Sequence, residues 1–246
     1  LPHVYPTAGL DPSWRFALNE SQALGLVFGR DVLFTVGPYT SLWSRVFHPG
    51  TFPFVLAGGL VLVTCFVVVC LSLARRRSPS GRWLLLATML ACGFSRDAPF
   101  LVYPVLALAA VVAADSDPRK HWRTAVLAAV AVFPFGLLGL VKGTFGFAAF
   151  GVAGVLFVRF LLRRESLEAL FLAVSLIAGN VFFWLLSGQP VSALPAYYAE
   201  MLPLVSGYST ANVFSGPALD VALTAGLGTA LCGLLLARGP GDPLDR

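Results

Sequence analysis

Apolar runs at 52–74, 83–94, 99–114, 124–141, 145–162, 167–187 and 218–237 leave this chain few ways to fold. Most approach the roughly 17–25 residues that a helix needs to cross a bilayer. Of the 246 residues, 57% are hydrophobic and 12% charged, whereas soluble domains carry about 25% charged residues. The charges also gather between the runs, which is the pattern of a polytopic α-helical membrane protein. The expected fold is therefore all-α and transmembrane, with about seven spans in residues 52–246 and an exterior segment in residues 1–51.

The second run is the short one. At 1.5 Å per residue its twelve residues cover only about 18 Å of a roughly 30 Å hydrocarbon core. "SRDAP" (95–99) separates it from the third run, so 83–114 is either two short helices or one long broken one. The basic residues decide between them. With seven spans, Arg75, Arg76, Arg77, Arg82, Arg119, Lys120, Arg123, Arg159, Arg163, Arg164, Arg238 and Arg246 fall on one side. Arg15, Arg30, Arg45, Arg96 and Lys142 fall on the other. A single span over 83–114 would reverse the asymmetry and strand Arg96 in the membrane. Positive charge collects on the cytoplasmic side, which favours seven spans. Trp83 and Trp122 at the basic side and Trp184 near the opposite one suit an aromatic belt.

The same layout places the opening segment, "SRDAP", Lys142 and the loop 188–217 together on the exterior face, with short basic loops inside. The net charge of +5 belongs to these helix-flanking clusters, and nucleic-acid binding is excluded. Cys65, Cys70, Cys92 and Cys232 all lie in apolar runs, where thiols behave as small apolar groups. No Cys/His spacing suggests a metal site, and no cofactor is implied. The sequence begins at Leu1 without a basic-then-apolar signal segment. A preceding segment, such as a first transmembrane helix, is therefore expected upstream.

The opening segment has its own character. "LDPSW" reads as a helix start, with Asp11 at the N-cap and Pro12 in the first helical position. Beyond it, Trp14, Leu18, Gln22 and Gly25 share one side, and Phe16, Ala17, Ala23, Leu24 and Val27 form a broad apolar surface. Such a helix is too short and polar to span, and is expected to lie along the interface. "FGRD" and "TVGP" are turn chemistry, with Gly29 and Gly37 permitting tight bends.

An acidic residue, an amphipathic helix and a "GRD…F…GP" turn resemble the first exterior loop of the C-type glycosyltransferase (GT-C) superfamily. "LDPSWRFAL…GLVFGRDVLFTVGP" with the later "SGYS" is similar to large bacterial multipass proteins of that type. The resemblance covers the opening segment well, the helical layout loosely and the C-terminal part hardly at all. It implies an inner-membrane enzyme that moves a sugar from a polyprenyl-phosphate carrier to a glycan or lipid acceptor on the exterior face. Asp11 matches the position of the acidic residue that acts as general base. An acceptor hydroxyl needs a carboxylate to take its proton, and a phosphate leaving group needs cations. Lys142 and Arg96, exterior cations lying between helices, are the candidates for the carrier phosphate. Asp31 would hold Arg30 or the acceptor, and Tyr208 would cap the site. Two departures stand out. Pro12 occupies the place where many relatives carry a second acidic residue, which weakens a metal-assisted mechanism. The chain is also short for the superfamily, so a fragment or a reduced relative is expected.

Each of these residues has a plainer role open to it. Asp11 fits a helix cap, Lys142 and Arg96 fit snorkelling at helix ends, and Asp97 fits neutralisation of Arg96. Tyr197, Tyr198 and Tyr208 fit an aromatic belt. "GTFGFAAFGVAG" (143–154) fits close helix packing through small residues. Two other functions compete: a transporter or flippase of a lipid-linked intermediate, and a non-catalytic membrane subunit. A transporter favours charge deep within helices and an internal repeat, and the sequence shows almost no mid-span charge.

Overall fold

The computed structural model describes residues 9–92, 95–114 and 121–211, with two isolated positions, 222 and 226. The described residues form helices α1 (Leu10–Ala23), α2 (Ser41–Ser44), α3 (Phe52–Ala74), α4 (Pro79–Cys92), α5 (Ala98–Ala114), α6 (His121–Val132), α7 (Phe135–Val141), α8 (Gly143–Leu162), α9 (Ser166–Leu186) and α10 (Leu194–Ala211). Among the described residues four stretches are long and apolar enough to cross a membrane: Phe52–Ala74, Trp122–Val141, Gly143–Leu162 and Ser166–Leu186. They mark the chain as a membrane protein. Helix α5 is apolar but shorter, α4 spans 14 residues, and the expected run at 218–237 lies outside the described residues.

The run at 124–141 is two helices rather than one. Pro134 has no N–H to continue the ladder, and the chain turns at Phe133–Pro134 before α7 begins. In an 18-residue window of Trp122–Val141 72% of the residues are buried, against 22–33% in the corresponding windows of the other three stretches, so α6 and α7 form the axis of the bundle. Every residue of α7 is buried. Helix α5 meets the axis with Phe100, Tyr103, Ala107, Ala110 and Ala114, the three- and four-residue spacing of one helix face. Tyr103 donates its hydroxyl to the Ala131 carbonyl at 2.7 Å. On α3 the opposite situation holds: Leu56, Leu60, Val63, Val67 and Leu71 form an exposed apolar face, which suits lipid and not water.

Cross-links between helix ends show which termini are level. Arg76 donates to the Ala113 carbonyl, Arg82 to that of Ala74, and Thr124 to that of Ala114. The C-termini of α3 and α5 and the N-termini of α4 and α6 therefore share one end of the bundle. Helix α9 runs parallel to α6–α7, since Ser175 bonds Ala129 and Asn180 bonds Gly136. That puts 162–166 at the same end. This arginine-rich end is opposite the one that holds 95–97, Lys142 and 187–190.

Residues 194–211, expected as part of a long loop, are instead helix α10. Pro195, Pro203 and the Ser-Gly pair at 206–207 gave this stretch the look of a loop. The small-residue run of α8 divides: a methyl group on Gly146 would meet the Gly139 Cα at 2.7 Å, while Gly151 and Gly154 face open space.

Candidate functional site

The site is built on the break between α7 and α8. Lys142 is extended, with φ −157° and ψ 134°, and forms an antiparallel bridge with Val36. The Gly143 N–H donates to the Thr35 carbonyl at 2.8 Å, and the Tyr39 N–H to that of Leu140 at 3.1 Å. Residues 35–39 of the opening segment thus lie along 140–143 and supply partners that a helix break would otherwise leave unpaired. Gly37 has an ordinary backbone conformation. It is needed because a side chain there would strike the Leu140 carbonyl and the Tyr197 hydroxyl. Gly29, by contrast, has φ +85°, which glycine adopts without penalty.

The Lys142 side chain is 22% exposed. Its ammonium lies 4.4 Å from the centre of the Trp43 ring and 5.1 Å from that of Phe145. It also pairs with Asp97 at 3.4 Å. The Trp43 indole donates to the other Asp97 oxygen at 2.5 Å. Trp43 stacks on Trp14, with ring centres 6.2 Å apart, and the Arg15 guanidinium lies 5.2 Å from Trp14 and 5.8 Å from Trp43. Two cations, one carboxylate and an aromatic pair are therefore gathered from α1, α2, the α4–α5 junction and the α7–α8 break. Phe100 of α5 and Phe145 of α8 stack at 4.8 Å and close the floor.

Magnitudes rank these contacts. A half-exposed ion pair contributes about 0–1 kcal/mol, and a partly desolvated cation over an indole about 1–2 kcal/mol. The aromatic rings hold the Lys142 ammonium at least as firmly as Asp97 does. Neutralising Arg96 was one role open to Asp97 from the sequence; in the structure its two oxygens go to Trp43 and Lys142, and Arg96 is exposed.

Helix α1 takes Gly9 as its N-cap, so Asp11 sits inside the first turn and not at the cap itself. It is one turn before Trp14 and Arg15 on the same face, and its side chain lies outside the described residues. Asp31 does hold Arg30, through a two-pronged contact at 2.9 and 2.8 Å, and it also accepts the Val27 N–H. The Arg30 hydrogen bond, with that of Val27 behind it, holds the Asp31 carboxyl down at about 2. This pair closes the "FGRD" turn, and among the described residues no side-chain contact links it to Lys142 or Asp97. Tyr208 belongs to α10, with its side chain outside the described residues.

A second set of contacts fixes the segment's other flank. Gln189 donates to Gln22 at 3.0 Å and to the Leu26 carbonyl at 3.1 Å, and accepts the Phe28 N–H at 2.9 Å. Gln22 in turn donates to the Ser187 carbonyl. Helix α1 is thereby clamped to the α9–α10 junction. Sequence reasoning missed Trp43, Asp97 and Arg15 as members of one cluster, because they lie 28 to 82 positions apart and carry no spacing signal. Among the described residues no group of three or more His, Cys, Asp or Glu could hold a metal ion. No protein-family model, no curated protein and no solved structure matches this chain.

Proposed function

We propose that the chain is a membrane glycosyltransferase of the C type. It moves a sugar from a polyprenyl-phosphate carrier to an acceptor at the exterior membrane face, with about seven spans holding the site there. The observation that carries this reading is the placement of Lys142 and Arg15 on the Trp43–Trp14 stack, beside the first turn of α1, which carries Asp11. Cations sheltered by aromatic rings at one end of an apolar bundle suit a lipid whose charged part is a phosphate. Arg96, next to Asp97 and exposed, is available to the same phosphate. The exposed apolar side chains of Phe16 in α1 and Leu24 just after it suit a helix that rests on the interface.

In this reaction the acceptor oxygen forms a bond to the anomeric carbon while the bond from that carbon to the phosphate oxygen breaks. Asp11 takes the acceptor's proton, and the carrier phosphate leaves with the electron pair, stabilised by Lys142 and Arg96. Arg30 and Asp31 support the loop that shapes the acceptor side, and Tyr208 covers it.

Native mass spectrometry of the protein in mild detergent tests the reading. A polyprenyl phosphate, with or without a sugar mass, is expected to copurify and to be lost in Lys142→Ala and Arg96→Ala. Asp11→Asn is expected to keep the lipid and abolish sugar transfer. Bulk phospholipid alone would overturn the reading.

A further inference from the structure

The Asp97 carboxylate stands where an anion bound to Lys142 would stand. It immediately precedes α5, and its carbonyl accepts the N–H groups of Phe100 and Leu101 at 3.1 and 3.2 Å. A carboxylate there ordinarily turns back to cap its own helix. Instead both oxygens point away, one to the Trp43 indole at 2.5 Å and one to the Lys142 ammonium at 3.4 Å. The ammonium contact is long for a charge-assisted one, which is normally about 2.7–2.9 Å. Trp43 therefore aims the carboxylate, while Lys142 keeps donors to spare and is held in place by the Trp43 and Phe145 rings. Asp97 is 43% exposed on its side chain, so it can turn toward water without opening the core.

Resting on the carrier-phosphate reading above, we infer that Asp97 is a resident counter-anion of the site. It occupies Lys142 when the site is empty, gives way to the lipid phosphate, and returns to Lys142 as the discharged carrier leaves. The electrostatics give this exchange a direction. A sugar-bearing carrier phosphate is a diester with one negative charge, whereas the discharged carrier is a monoester with up to two. Lys142 and Arg96 alone would hold the more highly charged product more tightly than the donor. A carboxylate within reach of the same ammonium opposes that bias, because like charges a few ångströms apart repel strongly in a partly desolvated corner. Asp97 thus limits product retention.

The test is binding of farnesyl phosphate to the full chain in detergent, by isothermal titration calorimetry, with farnesol as the uncharged control. Asp97→Asn keeps an acceptor for the Trp43 N–H and removes the charge. It is expected to bind farnesyl phosphate about tenfold more tightly than wild type, with farnesol binding unchanged. Asp97→Glu, which keeps the charge, is expected to stay within about threefold of wild type. Lys142→Ala is expected to lose phosphate binding in either background. If Asp97→Asn binds equally or more weakly while Lys142→Ala still abolishes binding, the counter-anion role is overturned and the phosphate site stands. If neither wild type nor Asp97→Asn binds farnesyl phosphate more tightly than farnesol, the phosphate site itself fails and the inference fails with it. Gel filtration and far-UV circular dichroism separate either result from misfolding.

Discussion

The Trp43 indole donates its N–H to Asp97 and offers its ring to Lys142, Arg15 and Trp14, and substitution separates these roles. Trp43→Phe keeps an aromatic face and removes the donor, and is expected to cost about 1.5 kcal/mol, the lower end for a hydrogen bond to a charged group. Trp43→Ala also removes the ring stack, and is expected to cost about 3 kcal/mol. Thermal unfolding in detergent measures both, and equal losses would show that the ring contacts contribute nothing. At this scale the sequence was legible for Lys142, whose place at a helix end follows from the flanking apolar runs. It was also legible for Asp31, whose partner Arg30 is adjacent. Asp97 was not legible, for the opposite reason. Its neighbour in sequence is Arg96, but its partners in space are 45 and 54 positions away, and only the fold brings them together.

Among the elements, the crossing of α7 and α9 is the tightest joint. A methyl group added at Gly136 would overlap the backbone of Asn180, and one at Gly179 would overlap the Phe133 carbonyl. These obstacles are backbone and cannot rotate away, so the helices would have to separate. Gly179→Ala is expected to cost about 3 kcal/mol, the upper range for overpacking. Gly151→Ala, facing open space on α8, is expected to be neutral or slightly stabilising because alanine favours helix. Circular-dichroism melts of the two purified variants check the contrast; a similar loss in both would discount the crossing. Apolar runs revealed α3, whose observed bounds Phe52–Ala74 coincide with the expected run, and located α8 and α9 to within about two residues. They concealed the break at Pro134, because the apolar pattern continues through it. Helix α10 escaped because it folds against Gly29 and Gly139 through Tyr197 and Tyr198, and not as an apolar run.

Across the whole molecule, arginines gather at one end of the bundle and the aromatic–cation cluster at the other. Labelling with a membrane-impermeant maleimide checks whether these ends face opposite sides of a membrane. In a cysteine-free background, Ser80→Cys and Ser95→Cys are expected to label from opposite sides. Labelling of both from one side would remove the exterior placement of the site. The asymmetry was legible from charge counting, since it depends on how many runs are crossed and not on how they pack. The docking of residues 35–39 onto the α7–α8 break was not legible, because it is main-chain pairing and leaves no side-chain pattern. That docking also divides the labour at position 142. The peptide groups around Lys142 join two parts of the fold, while its side chain alone meets Trp43, Phe145 and Asp97. The charge at this position can therefore be changed, in evolution or by design, while the joint beneath it stays intact.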